Sequence, residues 1–154
     1  MCGWYSAGPM APPPDSPAAP LGGRTLRGWR LVRCGGCGLP EAHCVCALLP
    51  RVAVQTRVLV VMHHFEAVRS TNTGRLAARM LSGATVRLRG AKDTVAEAPP
   101  EGRRLVLYPA DDARPLVPSD AADNLVLVVP DGTWTQARRI HRRDPACRDA
   151  VSVT

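Results

Sequence analysis

The chain has 154 residues, 45% hydrophobic and 21% charged, a balance that suits one compact domain with an appendage and leaves material for a real core. Its net charge of +7 comes from 20 basic residues, all but one of them arginine, against 13 acids, and points toward a polyanionic partner such as nucleic acid. No apolar run approaches the roughly 18 residues of a membrane helix, which argues against a membrane-spanning role.

Residues 1–21 carry Pro9, Pro12, Pro13, Pro14, Pro17 and Pro20 and read as a disordered tail, with Cys2, Trp4 and Tyr5 in it. The tail lacks the basic and apolar regions of a signal peptide, so a cytoplasmic location is expected. Thiols stay reduced there, and the six cysteines are expected to be metal ligands or bystanders, not disulfides.

Residues 22–50 form a cysteine-rich knuckle. Cys34, Cys37, Cys44 and Cys46 give the spacing C-x2-C-x6-C-x-C, with Gly35, Gly36 and Gly38 allowing a tight fold and Pro40 a turn. Four thiolates in so short a segment suit a closed tetrahedral Zn2+ site with a structural role. His43 is an alternative ligand, and an iron–sulfur cluster or no metal is the competing reading. Arg24, Arg27, Arg30 and Arg33 precede the knuckle, as an RNA contact or a solvated face.

Residues 51–154 alternate strand-like and helix-like patterns. Apolar runs at Arg57–Met62, Thr85–Leu88, Arg104–Tyr108 and Asn124–Val129 do not alternate polar and apolar, as expected of strands covered on both faces. Gly74–Leu81 reads as a helix capped by Thr71, Asn72 or Thr73, and Thr133–Arg142 as a second helix opened by the capping box Thr133-x-x-Gln136. This order predicts an α/β domain with a mostly parallel sheet and flanking helices, whose ligands bind at the carboxyl ends of the strands.

Two stretches sit at such ends. After the first strand, His63 and Glu66 form either half of a metal site or a hydrogen-bonded pair that shapes the loop. The Thr71-Asn72-Thr73-Gly74 turn then suits either an anion or simple helix capping. After the last strand, Pro130 is expected to end the ladder and Asp131-Gly132 to turn the chain. Trp134, Ala137 and Ile140 or His141 are expected to pack on the sheet, with Trp134 walling Asp131 and raising its pKa toward that of a usable base. Arg138, Arg139, Arg142 and Arg143 form two like-charged i,i+4 rows, which either bind backbone phosphates or solvate a face that includes Asp144.

Taken together these segments resemble the DTW-domain family. Its signature is matched by Asp131-Gly132-Thr133-Trp134, its cysteine knuckle by Cys34, Cys37, Cys44 and Cys46, its H-x-x-E…T-N-T-G-x-L-A segment by His63 through Ala77, and its Tyr-Pro strand end by Tyr108-Pro109. The resemblance implies a SPOUT-like fold with a C-terminal knot. It implies transfer of the 3-amino-3-carboxypropyl group from S-adenosyl-L-methionine to N3 of a tRNA uridine. On this reading Asp131, Thr133 and Trp134 are catalytic, and Tyr108, Pro109, Ala110, Pro130, Gly132, Asn72 and Thr73 bind the donor. Arg138, Arg139, Arg142 and Arg143 hold the RNA, tRNA in the first place and rRNA otherwise. The family continues with a further strand and closing helix where this chain stops at "AVSVT", so an incomplete knot is expected. Alternatives are a SPOUT RNA methyltransferase and a non-enzymatic zinc-knuckle RNA-binding module.

Overall fold

The computed structural model of the protein describes residues 32–69, 72–91 and 97–154. The proline-rich tail, Arg24, Arg27, Arg30 and Thr71 lie outside them. Among the described residues, no helix is long and apolar enough to cross a membrane.

Five strands form one sheet: β1 (Arg57–His63), β2 (Ala84–Arg89), β3 (Arg104–Leu107), β4 (Val126–Asp131) and β5 (Val151–Val153). Their order is β2-β1-β4-β3-β5, and every neighbouring pair is parallel. Among the described residues three α-helices accompany them: α1 (His64–Ala67), α2 (Gly74–Met80) and α3 (Trp134–Arg143). The expected α/β class holds, and the two helices read from sequence form within a residue or two of their expected bounds.

Alternate residues of β1 explain the layering, because side chains of a strand point to opposite faces. Leu59 and Val61 join Val106, Val126 and Val128 on the face covered by Ile140 of α3. Val60 and Met62 turn the other way, toward Ala67 of α1 and Ala78 of α2. Both faces are therefore buried, and β1 reads as a continuous apolar run instead of an alternating one. Gly83, at φ 76°, takes the left-handed turn that leads from α2 into β2.

The strand β4 does not stop at Pro130. It runs through Asp131, with Val61 opposite Pro130 and Met62 opposite Asp131. The register with β3 extends only to Val128, so beyond it β4 has a neighbour on one side alone, where proline is tolerated.

The β3–β5 half of the sheet is buried around Leu105, Leu125 and Val153. A chain segment tied down by Asp120 lies beside it. Arg103 and Arg114 donate to Asp120 Oδ1 at 2.8 and 2.6 Å, Arg114 donates to Oδ2 at 2.7 Å, and the Val117 N–H adds a bond at 3.0 Å. Arg114 also bridges to β5 through its backbone, closing that edge of the sheet.

Candidate functional site

The chain leaves β1 toward β2 at one edge and leaves β4 toward β5 at the other. Where connections diverge like this, a crevice opens at the carboxyl ends of the two strands. Met62 opposes Asp131 in register, so the Asp131 side chain emerges on the face that α2 covers. There Asn72 Nδ2 donates to Asp131 Oδ2 at 2.7 Å. Asn72 Oδ1 meanwhile accepts the Arg75 N–H at 3.0 Å, making Asn72 the residue that caps α2. One amide thus starts a helix and holds a carboxylate fifty-nine positions away. Asp131 Oδ1 has no hydrogen bond among the described residues. The fit is close: a Cβ on Gly74 would lie 2.5 Å from Asp131 Oδ2. Thr73 is exposed and makes no side-chain cap. The Asn72–Arg75 bond is the capping contact expected of this turn.

His63 ends β1 on the opposite face. Its Cβ lies 3.4 Å from where Gly132 would carry one. The expected His63–Glu66 pairing does not form. His63 Nδ1 accepts the Phe65 N–H at 3.3 Å, while buried Glu66 pairs with Arg69 at 3.3 Å. Burial, then the neighbouring His64 and Arg139, hold the His63 pKa below its ordinary value and favour the neutral ring. The His64 and Phe65 rings pack at a tilt of 38° with centroids 4.0 Å apart, and His63 lies 5.4 Å from Phe65. Phe65 itself is 53% exposed.

Thr133 is the N-cap of α3, and its N–H donates to Gln136 Oε1 at 2.8 Å, one limb of the expected capping box. Trp134 is not packed on the sheet: it is 74% exposed. Ala137, Ile140 and Asp144 are the buried positions, and a 100° advance per residue places Trp134 to one side of their common direction, on the first turn. An indole this open is no wall for Asp131. Arg138, Arg139, Arg142 and Arg143 are all exposed, and none forms an ion pair among the described residues. The acid expected to neutralise them, Asp144, is buried and pairs with Arg89 at 2.6 Å.

Tyr108 follows β3 and is half-buried, its ring stacked on His141 of α3 with centroids 4.5 Å apart. His141 Nε2 lies 3.0 Å from Ser152 Oγ. Pro109 is exposed, and the Ala110 N–H turns back to the Tyr108 carbonyl at 2.8 Å. The Tyr108–Ala110 and Pro130–Gly132 segments therefore leave the same end of adjacent strands. Phe65 and Ser152 were not singled out from sequence, and His141 was expected only as an alternative to Ile140 in packing on the sheet. Phe65 was hidden inside a histidine motif, and Ser152 belongs to a contact that only β5 creates.

At the knuckle, Cys34 Sγ lies 3.4 Å from Cys44 Sγ and 3.6 Å from Cys46 Sγ, and Cys37 Sγ lies 3.9 Å from Cys44 Sγ. All four sulfurs fall within 4.8 Å of one another. A tetrahedron with metal–sulfur bonds of about 2.3 Å needs sulfurs about 3.8 Å apart, so the four thiols fit a metal ion. Exposed His43 is outside the cluster. The N–H groups of Cys37 and then Gly36 hold the Cys34 thiol down at about 6, whereas burial and then the Cys34 thiol push Cys46 up to about 12. Four sulfurs this close cannot all ionise without a cation among them. Gly38, at φ 75°, closes the first turn, its N–H donating to the Cys34 carbonyl at 2.9 Å. Gly36 and Gly38 face Arg79 and Arg75, so the knuckle rests on α2.

Residues 31–154 match the family model described as the DTW domain. A Drosophila melanogaster protein named tRNA-uridine aminocarboxypropyltransferase 2 is 30% identical over 128 residues, covering 74% of this chain and 50% of the relative. The chain thus spans about half the length of that curated relative. No solved structure matches the chain.

Proposed function

From the premise that this chain belongs to the DTW-domain family, we propose that it modifies tRNA, transferring the 3-amino-3-carboxypropyl group of S-adenosylmethionine to N3 of a uridine. The observation that carries this reading is the Asn72–Asp131 bond, which joins two separate family segments at the crevice between β1 and β4. One carboxylate oxygen is held and the other is open, which suits an N–H or a cationic donor. The segments at Tyr108–Ala110, Pro130–Gly132 and Asn72–Thr73 line the same end of the sheet and would hold the donor.

S-adenosylmethionine, when bound, would supply an electrophilic γ-carbon with the thioether of its sulfonium as leaving group. Asp131 receives or steers the uridine N3 proton as the new N–C bond forms, then returns it to solvent. Asn72 fixes the carboxylate so that little reorganisation is needed at that moment. Thr133 sets the start of α3, and the exposed arginines of that helix hold RNA phosphates. Zn2+ is our assignment for the four-thiolate knuckle, in a structural role: it ties a segment with little core of its own against α2.

The test is incubation with unmodified tRNA and donor labelled either in the carboxypropyl part or in the methyl group. Carboxypropyl label should appear in tRNA and be lost in Asp131→Asn, with RNA affinity retained. Methyl label in the tRNA would instead identify a methyltransferase, and no label with firm RNA binding would identify a binding module.

A further inference from the structure

We infer that Phe65 and Trp134 are stacking surfaces for an unpaired RNA nucleobase beside the Asp131 crevice. The inference rests on RNA being the partner. Aromatic residues are only 4% of this chain, and Phe65 is its single phenylalanine. Three Phe, Trp or Tyr side chains lie in the described residues, and Tyr108 is engaged with His141. The remaining two are 53% and 74% exposed. Both leave the same end of hydrogen-bonded neighbours: Phe65 two residues past β1, Trp134 three residues past β4.

Exposed apolar residues scattered singly need no explanation, but two large rings just past the carboxyl ends of paired strands are a different matter. The Phe65 ring is held against His64 at 4.0 Å, so it is presented in a restricted pose. Trp134 is fixed at the first turn of α3 by the Thr133–Gln136 bond beside it. One turn on, Arg138 is exposed, and Arg139 bears electrostatically on His63. Aromatic faces interleaved with arginines match a single strand of nucleic acid, which offers ring faces and phosphates together. A duplex keeps its ring faces stacked inside, and a neutral or basic protein partner has no use for the arginine row.

The experiment measures binding of the full chain to a fluorescein-labelled oligouridylate and to an RNA duplex of equal charge, without donor. Phe65→Leu and Trp134→Leu keep apolar bulk and remove the ring face. Each should weaken oligouridylate binding by roughly 5- to 150-fold. The salt dependence should be unchanged because no phosphate contact is lost. Trp134→Phe should recover most of the affinity, which excludes a misfolded variant. A Trp4→Phe/Trp29→Phe chain, with Trp134 as its one indole, should show quenched fluorescence on binding. Unaltered affinity in both leucine variants, equal losses on single strand and duplex, or no oligouridylate binding by the parent would each overturn the inference. Failure of group transfer with these binding losses intact would overturn the enzymatic reading alone.

Discussion

Replacing Gly74 by alanine isolates the closest approach in the candidate site. A Cβ there would stand 2.5 Å from Asp131 Oδ2 and 3.0 Å from its Cγ. An ordinary contact needs about 3.4 Å, so the carboxylate must retreat by about 0.9 Å. Retreat on that scale stretches the 2.7 Å bond from Asn72 beyond hydrogen-bond range. Loss of a bond to a charged acceptor costs about 1.5–3 kcal/mol. Alanine offsets up to about 1 kcal/mol of this through helix propensity, less on a first turn. The expected net destabilisation is about 1–2 kcal/mol, a fall in Tm of about 4–10 °C. Thermal melts followed by circular dichroism should be run on the parent, Gly74→Ala, Asp131→Ala and the double variant. With the carboxylate gone the obstacle is gone, so Gly74→Ala should be neutral or stabilising in the Asp131→Ala background. Equal destabilisation in both backgrounds, or none in either, would refute the close packing of α2 on β4.

Three further outcomes are expected. Arg114, then the Val117 N–H, hold the Asp120 carboxyl below its ordinary range, so its stabilising effect is complete above the unfolded value of about 3.9 and is lost as pH falls below it. Asp120→Asn should lower Tm at neutral pH and flatten its dependence between about pH 4 and pH 2. Arg138→Gln and Arg142→Gln should each reduce the slope of log affinity against log salt for single-stranded RNA by about 0.7, while a solvated face with no RNA role would leave it unchanged. Purified parent protein should carry about one zinc per chain by elemental analysis, and Cys34→Ser or Cys46→Ser should abolish it. Because Gly36 and Gly38 face Arg79 and Arg75, that loss should also lower Tm for α2 and its neighbours, and a fully loaded Cys46→Ser chain would contradict the four-thiolate site.

Much of this molecule is legible in its amino-acid order because the relevant signals are local. Four cysteines within thirteen residues imply their own clustering, since little chain separates them. Strands β1, β3 and β4 announce themselves as unbroken aliphatic runs because burial on both faces requires it, and α3 announces itself through Thr133 and Gln136. That Asp131 lies at the carboxyl end of a strand follows from the aliphatic run before it.

The rest was decided by tertiary placement. Strand β5 has three residues and no periodicity to detect, yet it gives His141 its Ser152 partner. Pro130 looked like a terminator, and the short reach of β3 allowed the strand to pass through it. Trp134 looked like core by helical spacing, but it lies on the first turn and beside the buried direction, so it meets water. Asp144 looked like a surface counterion, and the fold carried Arg89 of β2 across to bury it. Residue order determines what each short segment can become, since propensity and patterning act over a few positions. Which distant groups then share a crevice depends on strand order and register, as when Met62 opposite Asp131 turns that carboxylate toward Asn72.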